Sequence, residues 1–397
     1  MRVDIQPLEK VKNCFISGRM NINLINLYQP HKPSSTYIKE KILSGMSPIF
    51  PNFAPAEKSV HILLPALHTV LSIFRNNRVS TAVLLAIYLV LTRAAALFGW
   101  IQPSPWPTAE GSMLYASLFG WATDAPFYSA LAAALLVYLQ ALMVNRLADD
   151  FRLMHDRNWL PGMFYVLASG ILPEFLFISA PLIAATFVPV ALRRIFKSYK
   201  ITQATALVFD AALWMSVAGL FYPPALILLV AAFIGVMVMR SFNLREQLVF
   251  LTGALTPLFL AWLWYFWDDR GNEFRALQFG EIFQLYRFNA TFDTKMILKS
   301  AFLTLLLMVF LSGLSTYFQR KLIQTQKAIT TLYWVLITGG LLMLLRSEWR
   351  WEHFLLPAAA AGIFLAFSFQ GIRNRLLAEI LHLALLAMLF FIQIFPS

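Results

Sequence analysis

Beyond residue 80 the chain is a succession of apolar runs of about 15 to 22 residues, separated by short polar turns. About 20 helical residues, rising 1.5 Å each, cross a hydrocarbon core roughly 30 Å thick, so each run predicts a membrane-spanning helix. About eleven runs are legible, at 80–99, 126–146, 159–172, 175–193, 203–221, 223–240, 247–267, 297–317, 328–346, 354–370 and 375–395. The third and fourth come from one stretch too long for a single crossing, interrupted only by Ile171, Leu172, Pro173 and Glu174. A tight turn at Pro173 divides them, because proline lacks the backbone donor a helix needs. Tyr222, Pro223 and Pro224 divide the fifth from the sixth in the same way. The predicted class is all-α: a polytopic transmembrane helix bundle of about eleven spans, with a re-entrant or surface helix after the first.

The first residues read differently. Positions 1–60 are polar and basic with no long apolar run, and are expected to be a disordered cytoplasmic tail or the product of a start assigned too early, Met46 offering a later one. Residues 61–78 form an amphipathic lead-in along the inner surface, and 79–397 a single polytopic membrane domain.

Composition agrees with the pattern. Of 397 residues 59% are hydrophobic and 13% charged, too few charges to clothe a soluble fold of this size. One cysteine, Cys14, removes disulfide frameworks and cysteine metal sites, and six scattered histidines do not make a histidine-rich iron site, so neither a metal nor another cofactor is expected. The net charge of +12 would suggest nucleic acid in a soluble chain; here the basic residues fall in turns, where they orient helices in a bilayer, and no nucleic-acid partner is expected.

If alternate turns face the cytosol, one side holds Arg75, Arg78, Arg146, Arg152, Arg157, Arg193, Arg194, Lys197, Lys200, Arg240, Arg245, Arg320, Lys321, Lys327, Arg373 and Arg375. The other side confines its seven basic residues to 268–299 and 346–353. This predicts a multi-pass protein of the bacterial inner membrane with its N-terminus cytoplasmic and C-terminus periplasmic. Basic residues in two outer loops oppose that rule and point to an anionic lipid headgroup or phosphate.

Ionisable residues at membrane depth persist only with a partner or a wet cavity. Arg93, Asp210 and Glu174 are the candidates, Arg93 and Asp210 being expected to face the bundle interior. Arg93 either snorkels to the outer interface or meets a ligand phosphate, and Asp210 either bonds helix to helix or serves function. The first outer loop bears two acids, Glu110 and Asp124; each is a candidate catalytic base or a helix cap, Asp124 standing just before Pro126. In the ninth outer connection a helical continuation would put Arg346, Arg350 and His353 on one face, an arrangement suited to a lipid phosphate or to a simple interfacial belt. Residues 268–299 read as a lid or, residue by residue, as solvated and mutually paired surface.

His353 to Phe367, preceded by Arg350, resembles the late transmembrane segment of GT-C type glycosyltransferases, with a basic residue and an aromatic before a Leu355, Leu356, Pro357 step and a small-residue helix. Arg75 to Arg78, the same step, and Ala378 to Leu386 also resemble a multipass membrane protein family of Bacteroidota over about residues 70–397. The GT-C resemblance implies transfer of a sugar from a polyprenyl-phosphate carrier to an acceptor at the outer face, with Glu110 or Asp124 as base and Arg93, Arg346, Arg350 and His353 holding the phosphate. The chain departs from that family in lacking an adjacent acidic pair in its first outer loop. The alternatives are a non-catalytic membrane subunit or scaffold of an envelope assembly and, last, a transporter, for which no internal repeat is visible.

Overall fold

The computed structural model describes residues 70–76, 78, 80–103, 113–280, 297, 299, 300, 304, 322–342 and 350–394. The chain divides into two compact units, Met1–Leu67 and His68–Ser397, and every described residue belongs to the second. The expectations for residues 1–60, for most of the run at 297–317, and for Glu110 and Arg346 lie outside the described residues.

Every regular element among the described residues is helical. In chain order they are α1 (Val70–Phe74), α2 (Ser80–Thr92), α3 (Ala94–Leu97), α4 (Met113–Phe119), α5 (Pro126–Asp150), α6 (Leu160–Ala168), α7 (Ala180–Lys197), α8 (Thr205–Phe221), α9 (Leu228–Met239), α10 (Leu244–Trp267), α11 (Gly271–Phe279), α12 (Ile323–Leu341), α13 (Ala358–Gly371) and α14 (Arg375–Ile394). Short 3-10 turns occupy Gly120–Ala122, Pro173–Phe175, Pro223–Ile227 and Trp351–Leu355. Proline stands in the first turn of α5, α6 and α7, where its missing N–H has no intrahelical acceptor to disappoint. Asn243 and Asn374 cap α10 and α14 by accepting from the backbone N–H groups of Arg245 and Leu376.

Three helices, α5, α10 and α14, are long and apolar enough to cross a membrane by length and composition. On α10, Leu244, Leu248, Leu251, Leu255, Phe259 and Leu263 are all exposed at steps of three and four, a stripe that water would not tolerate and lipid would. The third predicted span is only partly helical: its helix, α6, is nine residues, about 13 Å long, with all nine buried, and the stretch 169–179, which is not α-helical, completes the run. Among its described residues the first loop carries the short α4 and a 3-10 turn, with Leu118 and Trp121 exposed and Tyr115 buried beneath.

Against α6 the helix α13 packs closely: a methyl group added to Gly362 would lie 2.9 Å from the Tyr165 backbone. α8 is gripped between α7 and α10, with Gly253 so near that its added Cβ would stand 2.5 Å from the Phe209 carbonyl. Such small-residue contacts let backbones approach where no hydrophobic force operates between helices.

Turns gather into two sets, as the alternation of basic turns predicts. Trp159 N–H donates to the Phe74 carbonyl, Thr325 to Phe151, Lys327 to Met239, Arg240 to Ser198 and Ile201, and Arg75 to Phe369. These unite the basic turns at one end. At the opposite end Arg93 reaches 169–176, Tyr115 reaches Ile178, Gln278 reaches Gly219, and Tyr222 meets His353.

Candidate functional site

The opposite end is organised by an unwound stretch, 169–179, between α6 and α7. Unwinding inside a bundle leaves carbonyls without helical partners, each costly in an apolar setting. Arg93, fully buried at the kink between α2 and α3, meets that demand. Its Nη1 donates to Leu176 at 3.0 Å, and its Nη2 to Ser169 and Phe175 at 3.0 and 3.2 Å. Gln393 adds donations to Gly170 and Thr92. The expectation that Arg93 snorkels is corrected, since it is fully buried with both terminal nitrogens donating to main chain.

So held, the stretch turns residues 174–179 toward α4, α5 and the 3-10 turn at 351–355. Tyr115 donates its hydroxyl to the Ile178 carbonyl at 3.2 Å, and Ser129 accepts from the Ile178 N–H at 3.2 Å. Burial pushes the Tyr115 hydroxyl up to about 12. Between these elements lies a hollow of about 30 Å³, lined by Pro103, Tyr115, Thr123, Glu174, Ser179 and Glu352 among others. That is room for about one or two waters or a single hydroxyl group.

Two polar atoms of its lining are buried with no hydrogen-bond partner among the described residues: Glu174 Oε2 and Ser179 Oγ. Native folds rarely leave such groups unmet unless a ligand or water meets them. The other Glu174 oxygen is paired with Lys299, whose ammonium also lies 6.0 Å from the centre of the Trp351 ring. Glu352 is 5% exposed and His353 1%. The His353 Nδ1 is hydrogen-bonded to the Tyr222 hydroxyl at 2.6 Å, the two rings stacked 5.8 Å apart. The same 3-10 turn thus brings an acid, an aromatic and an imidazole to one place.

The structure joins some predicted residues and separates others. Glu174 lies in the hollow. Arg350 and His353 flank it in sequence through Glu352, but they do not share a helix face: Arg350 is extended at φ −123°, ψ 131°, and a 3-10 turn follows. Asp124 is exposed and makes no side-chain cap; Ala125 is the N-cap of α5, and it is Thr123 that lines the hollow. Asp210 does not face the interior. It is about one and a half turns into α8, 37% exposed, and pairs with Arg194 at 3.5 Å. In 268–280 the pair of Arg270 with Glu273 at 2.7 Å is exposed, as a solvated surface would be. Ser179, Glu352, Lys299 and Tyr222 were not singled out from sequence. A carboxylate directly after the proline of a broken apolar stretch was the available signal.

Among the described residues no group of three or more His, Cys, Asp or Glu is placed to hold a metal. A wider apolar hollow of about 670 Å³ runs along α10 beneath α11, lined by Leu255, Phe259, Trp262, Phe274 and Phe279, with Arg275 as its charged member.

No family model matches the chain, and no curated protein matches it. Among solved structures, the chain is similar to ArnT from Cupriavidus metallidurans bound to undecaprenyl phosphate, at 14% identity and a TM-score of 0.45 over 78% of this chain and 62% of that one. It is also similar to the archaeal oligosaccharyltransferase AglB from Archaeoglobus fulgidus in complex with an inhibitory peptide and a dolichol-phosphate, at 13% identity and a TM-score of 0.42 over 78% of this chain and 51% of that one. The chain thus spans less than two thirds of the length of either.

Proposed function

We propose that this chain is a GT-C-like glycosyltransferase of the bacterial inner membrane that moves a sugar from a polyprenyl-phosphate carrier to an acceptor hydroxyl at the outer face. The observation that carries the reading is the pair of buried atoms, Glu174 Oε2 and Ser179 Oγ, without a partner among the described residues on one hydroxyl-sized hollow. An acceptor hydroxyl entering there donates to Glu174 and accepts from Ser179. Its oxygen then bonds to the anomeric carbon as the bond from that carbon to the carrier phosphate breaks, the electron pair leaving with the phosphate and the proton passing to Glu174. Lys299, Arg350 and His353 are cationic or donor groups that would meet the growing phosphate charge. The apolar hollow along α10 suits the carrier's tail, with Arg275 as its charged member. The base in this scheme is Glu174, in place of Glu110 or Asp124.

Proteoliposomes given a panel of labelled polyprenyl-phosphate sugars test it. Wild type releases carrier phosphate, and Glu174→Gln, which keeps the shape of the side chain, lowers the rate by about 10²- to 10⁴-fold while the protein remains folded. Wild-type turnover in Glu174→Gln would sink the proposal.

The size of the hollow favours a second reading, a non-catalytic subunit of an envelope assembly, since about 30 Å³ admits no sugar ring. Ser179→Cys separates the two. Rapid labelling by a water-soluble thiol reagent means a site open to substrate, and protection means a closed structural packing.

A further inference from the structure

The basic end holds a feature that the transfer reading does not use. Lys200 and Lys327 direct their ammonium groups at the same ring, Tyr199, at 5.5 and 5.3 Å from its centre. One lysine follows α7 and the other belongs to α12, 127 residues further on. Two like charges on one ring repel, and among the described residues neither has a carboxylate within ion-pair distance, although the nearby Arg193, Arg194 and Arg240 each have one.

The arrangement is built and not a chance of surface side chains. Lys200 sits in the left-handed region at φ 57°, unfavourable for a residue with a Cβ. Arg240 fixes that turn by donating to the Ser198 and Ile201 carbonyls at 2.7 and 2.6 Å, and is itself held by both oxygens of Glu246. Lys327 is anchored by a donation to the Met239 carbonyl. The same three joined turns carry exposed apolar side chains: Ile201, Phe242, Leu322 and Ile323. Ile323 is one helical turn from Lys327, on the same face of α12.

We propose that Lys200, Lys327 and Tyr199 form a binding site for the phosphodiester headgroup of an anionic bilayer phospholipid, whose acyl chains lie against Ile201, Phe242, Leu322 and Ile323. Paired cations alone would fit any phosphate. The adjoining exposed apolar groups select a lipid, because a soluble anion would leave them in water. Tyrosine at this level suits an interface, with its ring toward apolar surface and its hydroxyl toward the headgroups. The site is independent of any activity at the other end.

Native mass spectrometry of the full chain released from nanodiscs of phosphatidylcholine with added phosphatidylglycerol reads the proposal directly. Wild type retains phosphatidylglycerol selectively. Lys200→Gln with Lys327→Gln weakens its retention roughly twenty-five-fold and either change alone about fivefold, while Lys327→Arg keeps it. Tyr199→Phe behaves as wild type and Tyr199→Leu does not. Lys197→Gln, an equal charge change on a neighbouring exposed lysine, leaves retention unaltered. Undiminished selectivity in the double variant, or an equal loss in Lys197→Gln, overturns the site. Displacement of the lipid by millimolar glycerol 3-phosphate, or indifference to Phe242→Ser with Ile323→Ser, overturns its assignment to a lipid.

Discussion

The two ends of the bundle handle polar groups in opposite ways. At the basic end the described turns are closed by charged side chains that have partners: Arg240 with Glu246, Arg193 with Asp150, Arg194 with Asp210, and Glu379 accepting from the Val70 and Leu71 N–H groups at the start of α1. At the other end an arginine is consumed in supporting unwound backbone, and the acid and hydroxyl it positions are left with unmet hydrogen-bonding capacity. The paired charges of the basic end hold turns together; at the other end a carboxylate oxygen and a hydroxyl stand buried on one hollow without a partner among the described residues.

Replacing Arg93 by Met should do the most damage, since a nearly isosteric apolar side chain strands three buried carbonyls. A loss of about 3–5 kcal/mol in stability is expected. Unfolding in detergent would read it, and a loss below about 1 kcal/mol would show that the break supports itself. Glu246→Gln should cost about 1–3 kcal/mol by leaving the partly buried guanidinium of Arg240 without its charge partner. Faster hydrogen exchange in residues 198–203 would locate the effect, and unchanged exchange there would refute it.

Alkaline titration probes the other end. The Tyr115 hydroxyl stays neutral in the fold up to about 12 while the unfolded chain ionises near 10, so its contribution is whole below pH 10 and is lost as pH rises toward 12. About 2 kcal/mol should disappear in that window, and Tyr115→Phe should remove the dependence; a Phe variant with the same alkaline slope assigns it elsewhere. Ser216→Ala, which deletes a single donation from α8 to the Ala254 carbonyl on α10, should cost only about 0.6 kcal/mol. A much larger loss would mean that the α8–α10 contact rests on that bond and not on the close approach at Gly253.

Much of this contrast was visible before any coordinates. Long apolar runs gave the helices, and basic turns at alternate positions gave the two sets of ends, because both properties are carried by side-chain type and spacing. What was missed depends on backbone. Nothing in the types of Ser169, Phe175 or Leu176 announces that their carbonyls need a donor, so Arg93 could not be assigned to them. The spacing of Arg350 and His353 fits one helix face, yet the extended backbone at Arg350 breaks the helix that spacing presumes. Asp210 looked central because its apolar run is long, but α8 starts at Thr205, which leaves the acid within reach of Arg194.

The brevity of α6 also sets an order of biosynthesis. A helix of nine residues spans only about 13 Å, so α6 depends on its neighbours for its place in the bundle. α5 and α2, which also pack on it, precede it, but its supports on α13 and at Gln393 are translated about 200 residues later, and until they arrive the face turned to α13 lacks its native cover. Nascent chains arrested before residue 358 should therefore be cut more readily by protease between 160 and 168, residues that the finished molecule buries.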